Sequence, residues 1–237
     1  AYVKDLITPG VYKLSNGVAA PITTFTERNK RVNSVYGTAT LSYANKIFLD
    51  VTGRNDWSST LPSGNNSFFY PSVSTSFILS DLLRLPEQIS FAKLRASWAQ
   101  VGNDTAPYKT AKYYNTSAFP GSASVSSTLY NARFKPEISN SIEVGLDWRM
   151  FKQRFGLDLA FYNNITRNQI LDVPMDQTTG YTKATMNSGK VRNRGIELQL
   201  DGTPVKTKNF TWNSTFTWAK NYNKVLSLAA GLTDGQT

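Results

Sequence analysis

Apolar and polar residues alternate one by one along most of this chain. Between residues 33 and 43, Val35, Ala39, Leu41 and Tyr43 interleave with Ser34, Thr38, Thr40 and Ser42. The same period runs through Ile47, Leu49 and Val51, then Val73, Phe77 and Leu79, then Ala92, Leu94, Ala96 and Trp98. It is clearest later, in Ile142, Val144, Leu146, Trp148 and Met150 and in Phe155, Leu157, Leu159 and Phe161. Ile196, Leu198 and Leu200 continue it, followed by Phe210, Trp212, Phe216 and Trp218. A period of two belongs to a β-strand with one apolar face. The pattern predicts an all-β chain of about eight antiparallel strands, each of roughly 9–11 residues, the length that crosses a bilayer at a tilt.

The connections between these strands alternate in length. Apolar parity is odd on both sides of the link after Tyr43, which predicts a three-residue turn, Ala44-Asn45-Lys46. Parity switches after Met150, and a two-residue turn at Lys152-Gln153 then pairs Met150 with Phe155 and Trp148 with Leu157. The intervening links, 58–68, 102–137 and 168–190, are long. Short turns at one end and long loops at the other are the pattern of an outer-membrane barrel, with the long loops outside the cell.

The polar face separates this reading from a soluble sandwich, which also alternates. It carries Asp50, Arg54, Lys93, Arg95, Glu143, Asp147, Arg149, Asp158, Glu197 and Asp201. An Arg or Lys at the lipid midplane costs roughly 2–4 kcal/mol, so this face must be wet and the apolar one must meet lipid. Tyr43, Trp98, Trp148, Phe155, Phe210, Trp212 and Trp218 lie toward strand ends on the apolar side, where interfacial girdles sit.

Composition narrows the function. Mean hydropathy is negative, and no run approaches the about 20 apolar residues of a membrane helix. The chain has no histidine and no cysteine, which removes Ser-His and Cys-His chemistry and His- or thiolate-held metals. No paired-carboxylate site stands out, so neither an enzyme nor a cofactor is expected. The net charge of +10 comes from residues spread along the chain, with no basic run longer than 28–31, and no nucleic-acid partner is expected.

Several segments resemble the C-terminal barrel of the SusC/RagA family of TonB-dependent outer-membrane transporters. These are Val51-Thr-Gly-Arg-Asn-Asp-Trp-Ser-Ser with the following Phe69-Tyr-Pro-Ser-Val-Ser, Leu94-Arg-Ala-Ser-Trp-Ala-Gln-Val-Gly-Asn103, and Lys135-Pro-Glu-Ile-Ser-Asn-Ser-Ile-Glu-Val-Gly. Tyr162-Asn-Asn-Ile-Thr-Arg and Asn187-Ser-Gly-Lys-Val-Arg-Asn-Arg-Gly-Ile-Glu197 complete the series, in family order, over roughly residues 32–225. Two departures are Ala99, where the family favours glycine, and Ser141-Ile142, where Trp or Tyr often precedes the glutamate.

The resemblance implies a segment of a barrel of about 22 strands with a plugged lumen. Such a barrel imports oligosaccharides or peptides, draws energy from the TonB system and is closed by a SusD-like surface lipoprotein. Residues 1–32 would form an extracellular loop region and 33–222 the barrel strands, with the plug and the remaining wall supplied from outside this sequence. The chain would sit in the outer membrane of a Gram-negative cell.

Arg54 and Asp56 share parity and are expected in the lumen near the outer mouth, either touching ligand or paired as a salt bridge that stiffens the wall. Trp57, Asn103, Tyr113 and Tyr114 lie in or beside the expected external loops, where an aromatic face stacks on a sugar or caps a peptide. Two further readings fit the alternation: a self-contained eight-stranded barrel serving as anchor or adhesin, and a soluble carbohydrate-binding sandwich. The first requires Asn33 and Tyr222 to lie on paired strands.

Overall fold

The structure, a computed structural model, describes residues 2–19, 27–116 and 121–228. The stretch 229–237, about which the sequence says nothing, lies outside them. Along the chain run β1 (Val32–Tyr43), β2 (Ile47–Ser58), β3 (Ser67–Ile78) and β4 (Ile89–Asn103). The short loop strands β5 (Tyr114–Thr116), β6 (Ala123–Val125) and β7 (Thr128–Leu129) follow. Next come β8 (Glu137–Met150), β9 (Phe155–Arg167), β10 (Ile170–Pro174), β11 (Lys183–Asn187), β12 (Lys190–Lys206) and β13 (Thr211–Ser227). The eight long strands form one sheet in the order β1-β2-β3-β4-β8-β9-β12-β13, every neighbour antiparallel.

The long strands are where alternation predicts them, and they extend beyond the expected crossing length. Tyr43 faces Ile47 across Ala44-Asn45-Lys46, as parity requires. Ala44 and Asn45 take positive φ (51° and 54°), and the Lys46 N–H donates to the Tyr43 carbonyl at 2.9 Å. Met150 faces Phe155 and Trp148 faces Leu157, again the expected register. The turn between them differs from expectation, because it occupies Phe151–Arg154 rather than Lys152-Gln153 alone. Phe151, Lys152 and Gln153 are all left-handed (54°, 56° and 66°), so the chain reverses without leaving Phe151 and Arg154 as a ladder pair.

Adjacent turns at this end are laced together. Ile78 N–H donates to Lys46 O (2.8 Å), Phe151 N–H to Gln88 O (2.7 Å) and Thr203 N–H to Arg154 O (2.7 Å). One feature has no precursor in the alternation: the link from β3 to β4 begins with a single helical turn, Leu79–Leu82.

Register settles the faces. Paired residues share a side of the sheet, and successive ladders connect Lys93 to Asp147, Asp158 and Gln199. Arg95 similarly aligns with Gly145, Ala160 and Glu197, and Arg149 with Gly156 and Asp201. Asp50 and Arg54 reach the same side through Ser74 and Tyr70. All the charges assigned to the wet face therefore lie on one surface. The opposite surface presents Leu41, Val51, Ile142, Phe161 and Trp218 and is left uncovered, with Leu41 63% and Trp218 45% exposed.

This sheet is open. β1 pairs only with β2 and β13 only with β12, so Asn33 and Tyr222 do not lie on paired strands. That removes the self-contained eight-stranded barrel. The remaining described strands belong to the loops, as β10-β11-β7 and β5-β6, and supply no facing layer for a sandwich.

Glycines make room on the wet face. A Cβ at Gly145 would stand 2.3 Å from Arg95 Nε. One at Gly195 would stand 2.5 Å from Tyr162 Oη and 2.7 Å from the Lys220 carbonyl oxygen. Gly195 thus lets the Tyr162 side chain lie flat against β12, and no register shift occurs at that position.

Candidate functional site

The wet face carries two polar groups of contacts, one running from the middle of the strands to the short-turn end and one at the long-loop end. In the middle, Arg95 donates from Nη2 and Nη1 to Asp158 Oδ1 and Oδ2 (2.8 and 3.2 Å), a bidentate pair spanning β4 to β9. Glu143 stands 3.9 Å from Arg95 Nε. Beside the short turn, Arg149 donates to Asp201 on β12 (3.2 Å). Its Nε lies 2.9 Å from Asp147 Oδ1 as an ion pair that lacks hydrogen-bond geometry. Arg95, Glu143, Asp158, Glu197 and Gln199 line a shallow hollow on this face. Each arginine reaches over a glycine, Gly145 or Gly156, to a carboxylate two strands away.

At the loop end, Arg54 and Asp56 meet as the salt bridge that parity allowed. Arg54 Nε donates to Asp56 Oδ1 at 2.7 Å and Nη2 to Oδ2 at 3.2 Å. Asp56 is buried, and its Oδ2 also accepts the Tyr70 hydroxyl at 2.7 Å. Arg54 further donates to Ser34 (3.0 Å) and stands over the Tyr70 ring, 5.9 Å from its centroid. Tyr70 was not singled out from sequence, although its even parity, shared with Asp56, placed it on this face.

The other expected residues scatter. Trp57 pairs with Asn33 and Ser67 on the side of Leu49 and Val51, away from Arg54. Asn103 ends β4 on the wet face and donates to Glu137 Oε2 (3.2 Å), whose Oε1 accepts the Ile170 N–H (2.7 Å). Tyr113 packs edge-on against Tyr108, with ring centroids 6.0 Å apart, and Tyr114 is 68% exposed on β5. Asn103 therefore belongs to the junction between wall and loops, and the two tyrosines to the loops themselves.

These loops form an ordered shelf that the sequence did not announce. Leu61, Phe68 and Phe134 make a small apolar core, with Phe134 fully buried and Tyr70 and Ile170 against it. Asp104 accepts from Lys30 Nζ (2.5 Å) and from the Ser58 hydroxyl, which ties the segment before β1 to the end of β4. The Asn187 side chain donates to the carbonyls of Lys135 (2.7 Å) and Asn168 (3.0 Å). Lys112 donates to the Tyr181 hydroxyl (2.8 Å), which holds its ammonium pKa above the ordinary value. The Asp172 carboxyl is held below its usual range, first by Lys183 (2.8 Å) and then by Thr185 (2.6 Å). No group of three or more acidic side chains that could hold a metal ion occurs among the described residues.

Comparison with known proteins fits this architecture. The family described as TonB dependent receptor-like, beta-barrel matches residues 4–237. A TonB-dependent receptor of Formosa agariphila is 33% identical over 84% of the chain and 21% of its own length. The TonB-dependent receptor SusC of Bacteroides thetaiotaomicron is 26% identical over 88% of the chain and 22% of its own length. The chain thus spans about a fifth of the curated relatives it matches. Among solved structures, the RagAB peptide transporter superposes with a TM-score of 0.81 at 23% identity, over 95% of this chain and 26% of that one.

Proposed function

The chain belongs to the TonB-dependent receptor-like β-barrel family of SusC-like transport proteins, and on that premise we propose that it is one wall of an outer-membrane nutrient importer. The observation that carries this is the open eight-stranded sheet with its charges on one face and its uncovered apolar residues on the other. A closed membrane sheet has no free edges, so β1 and β13 call for further strands of the same transporter. Residues 33–222 then serve as barrel strands, residues 1–32 as an extracellular loop region, and the plug comes from another part of the protein.

The substrate in this reading is an oligosaccharide or a peptide, taken up across a Gram-negative outer membrane under TonB coupling. A SusD-like lipoprotein sits on the loop shelf, and no catalytic step or cofactor takes part. Arg54 and Asp56, already engaged with each other, shape the mouth. Tyr113 and Tyr114 are the candidates for ligand contact from the loops, with Asn103 at the junction of wall and loops and Trp57 at the outer rim.

The test is made on the full-length protein. It is expected to fractionate with the outer membrane, to require detergent for extraction and to copurify with a surface lipoprotein. Uptake of labelled oligosaccharides and of labelled peptides, each measured with and without TonB, identifies the cargo. Recovery in the detergent-free soluble fraction would overturn the membrane reading. TonB-independent uptake of both cargoes would overturn the TonB coupling, and uptake of neither would overturn the importer reading.

A further inference from the structure

The outward face is almost free of charge, and its exceptions are all of one sign and in one place. Across β1, β2, β3, β4 and β8 the ladder positions on this side hold no acidic or basic residue. On β9, β12 and β13 they hold Arg167, Lys190, Arg192, Arg194, Lys220 and Lys224, and no acid. These residues cluster toward the long-loop end: Arg192 faces Lys224, Arg194 faces Tyr222 and Lys220 faces Ile196. None of the six has an ion-pair partner among the described residues, whereas Arg54, Arg95 and Arg149 on the opposite face are all paired. Arg194 stands over the Tyr222 ring, 5.3 Å from its centroid.

Height along β13 identifies what the cluster meets. Trp212 and Tyr222 are both outward, and at roughly 3.4 Å per residue they are about 34 Å apart along the strand. At a tilt of 35–45° that is about 24–28 Å of height, close to the apolar band of about 25 Å in such barrels. Trp212 and Tyr222 therefore mark the two interfaces. Arg194 lies level with the Tyr222 girdle, and Arg192 and Lys224 one step beyond it, on the loop side. Lys220 starts just inside the band, and its long stem carries the ammonium up to the interface. The loop side is the cell exterior, so the cluster stands at headgroup height in the outer leaflet.

We propose that Arg192, Arg194, Lys220 and Lys224 form a binding surface for the phosphate groups of lipid A, the anionic glycolipid anchor of an outer leaflet. Guanidinium groups take phosphate oxygens in pairs and ammonium groups act as point charges, while acyl chains pack on Ile196, Leu198, Phe216 and Trp218 below. The surface rests on the membrane reading above, and the experiment separates the two.

The full-length transporter is delipidated in detergent and offered lipid A with its phosphates intact, or the same lipid enzymatically dephosphorylated. Native mass spectrometry then counts the retained lipid. The phosphorylated form is expected to be retained about tenfold better, with the advantage shrinking as salt rises. Replacing the four residues by glutamine is expected to remove that advantage. Lys93→Gln, which removes one positive charge from the opposite face, leaves it intact. Equal retention of the two lipids by the wild-type protein overturns the proposal, as does full displacement of lipid A by an equal amount of phosphatidylglycerol. If the fourfold variant fails to fold, Arg194→Gln and Lys224→Gln singly, with the wild-type comparison, still decide. A protein that stays soluble without detergent fails the membrane reading instead.

Discussion

The barrel wall and the loop shelf are built from the same chain on opposite principles. In the wall, neighbours are set by register: Arg95 reaches Asp158 because β4, β8 and β9 lie side by side in a fixed alignment. In the shelf, neighbours are set by burial and capping. Phe134 meets Leu61 and Phe68 from distant parts of the chain, and Asn187 satisfies carbonyls at positions 135 and 168. The wall exposes its apolar side chains and keeps them for lipid, whereas the shelf hides a few completely. Stability in the wall is therefore spread over many ladders and the bilayer, and in the shelf it is concentrated in a handful of side chains.

The strongest way to break that contrast is Phe134→Ala. Truncating a fully buried phenylalanine costs about 3–5 kcal/mol. The loss should fall on the shelf, with rapid proteolysis between 104 and 136, while the heat-modifiable migration of the barrel persists. If the barrel fails together with the loops, the two regions are one cooperative unit.

Leu159→Arg tests the wall from its lipid side. Leu159 lies in the outward row with Leu146 and Leu198, and an arginine there should cost about 2–4 kcal/mol in a bilayer folding titration. Gln199→Arg, on the wet face, is expected to cost far less. Equal penalties would mean that the faces are misassigned.

Gly195→Ala comes next, at about 1–3 kcal/mol, because a methyl group there must displace both the Tyr162 ring and the Lys220 carbonyl oxygen. Gly145→Ala meets only the movable end of Arg95 and should be milder in the same titration.

The smallest effect is a pH dependence of the shelf. Asp172 has a lowered pKa, so its pairing with Lys183 contributes fully above about pH 4, the ordinary carboxylate value, and is lost as pH falls through the lower folded value. Lys183 has a raised pKa, and its share is full below about pH 10 and lost as pH rises through the higher folded value. Amide exchange in β10 and β11 should therefore accelerate in acid relative to neutral pH. Asp172→Asn should remove most of that difference.

The contrast also explains how much could be read in advance. Strand positions, the turn after Tyr43, the pairing of Met150 with Phe155 and the side on which the charges lie all follow from alternation and local parity. The family motifs add the larger architecture through resemblance. For the candidate site, the meeting of Arg54 and Asp56 was legible because both lie on one strand two residues apart. Their third partner, Tyr70, required the β2–β3 register. Trp57 reads as a loop neighbour from its place beside the long link after β2, yet its odd position turns it to the outward face.

Sequence alone determined that this protein is an alternating all-β wall with one wet and one apolar face, because a strand's two sides are set by nearest-neighbour geometry. Only the tertiary structure decided that the sheet stays open at β1 and β13, that Phe134 anchors a shelf of loops, and that six basic residues gather toward the long-loop end of the outward side. Each of these depends on which distant segments lie next to one another. That is fixed by strand order and register across the whole sheet, and by apolar residues in long loops that carry no periodic signal.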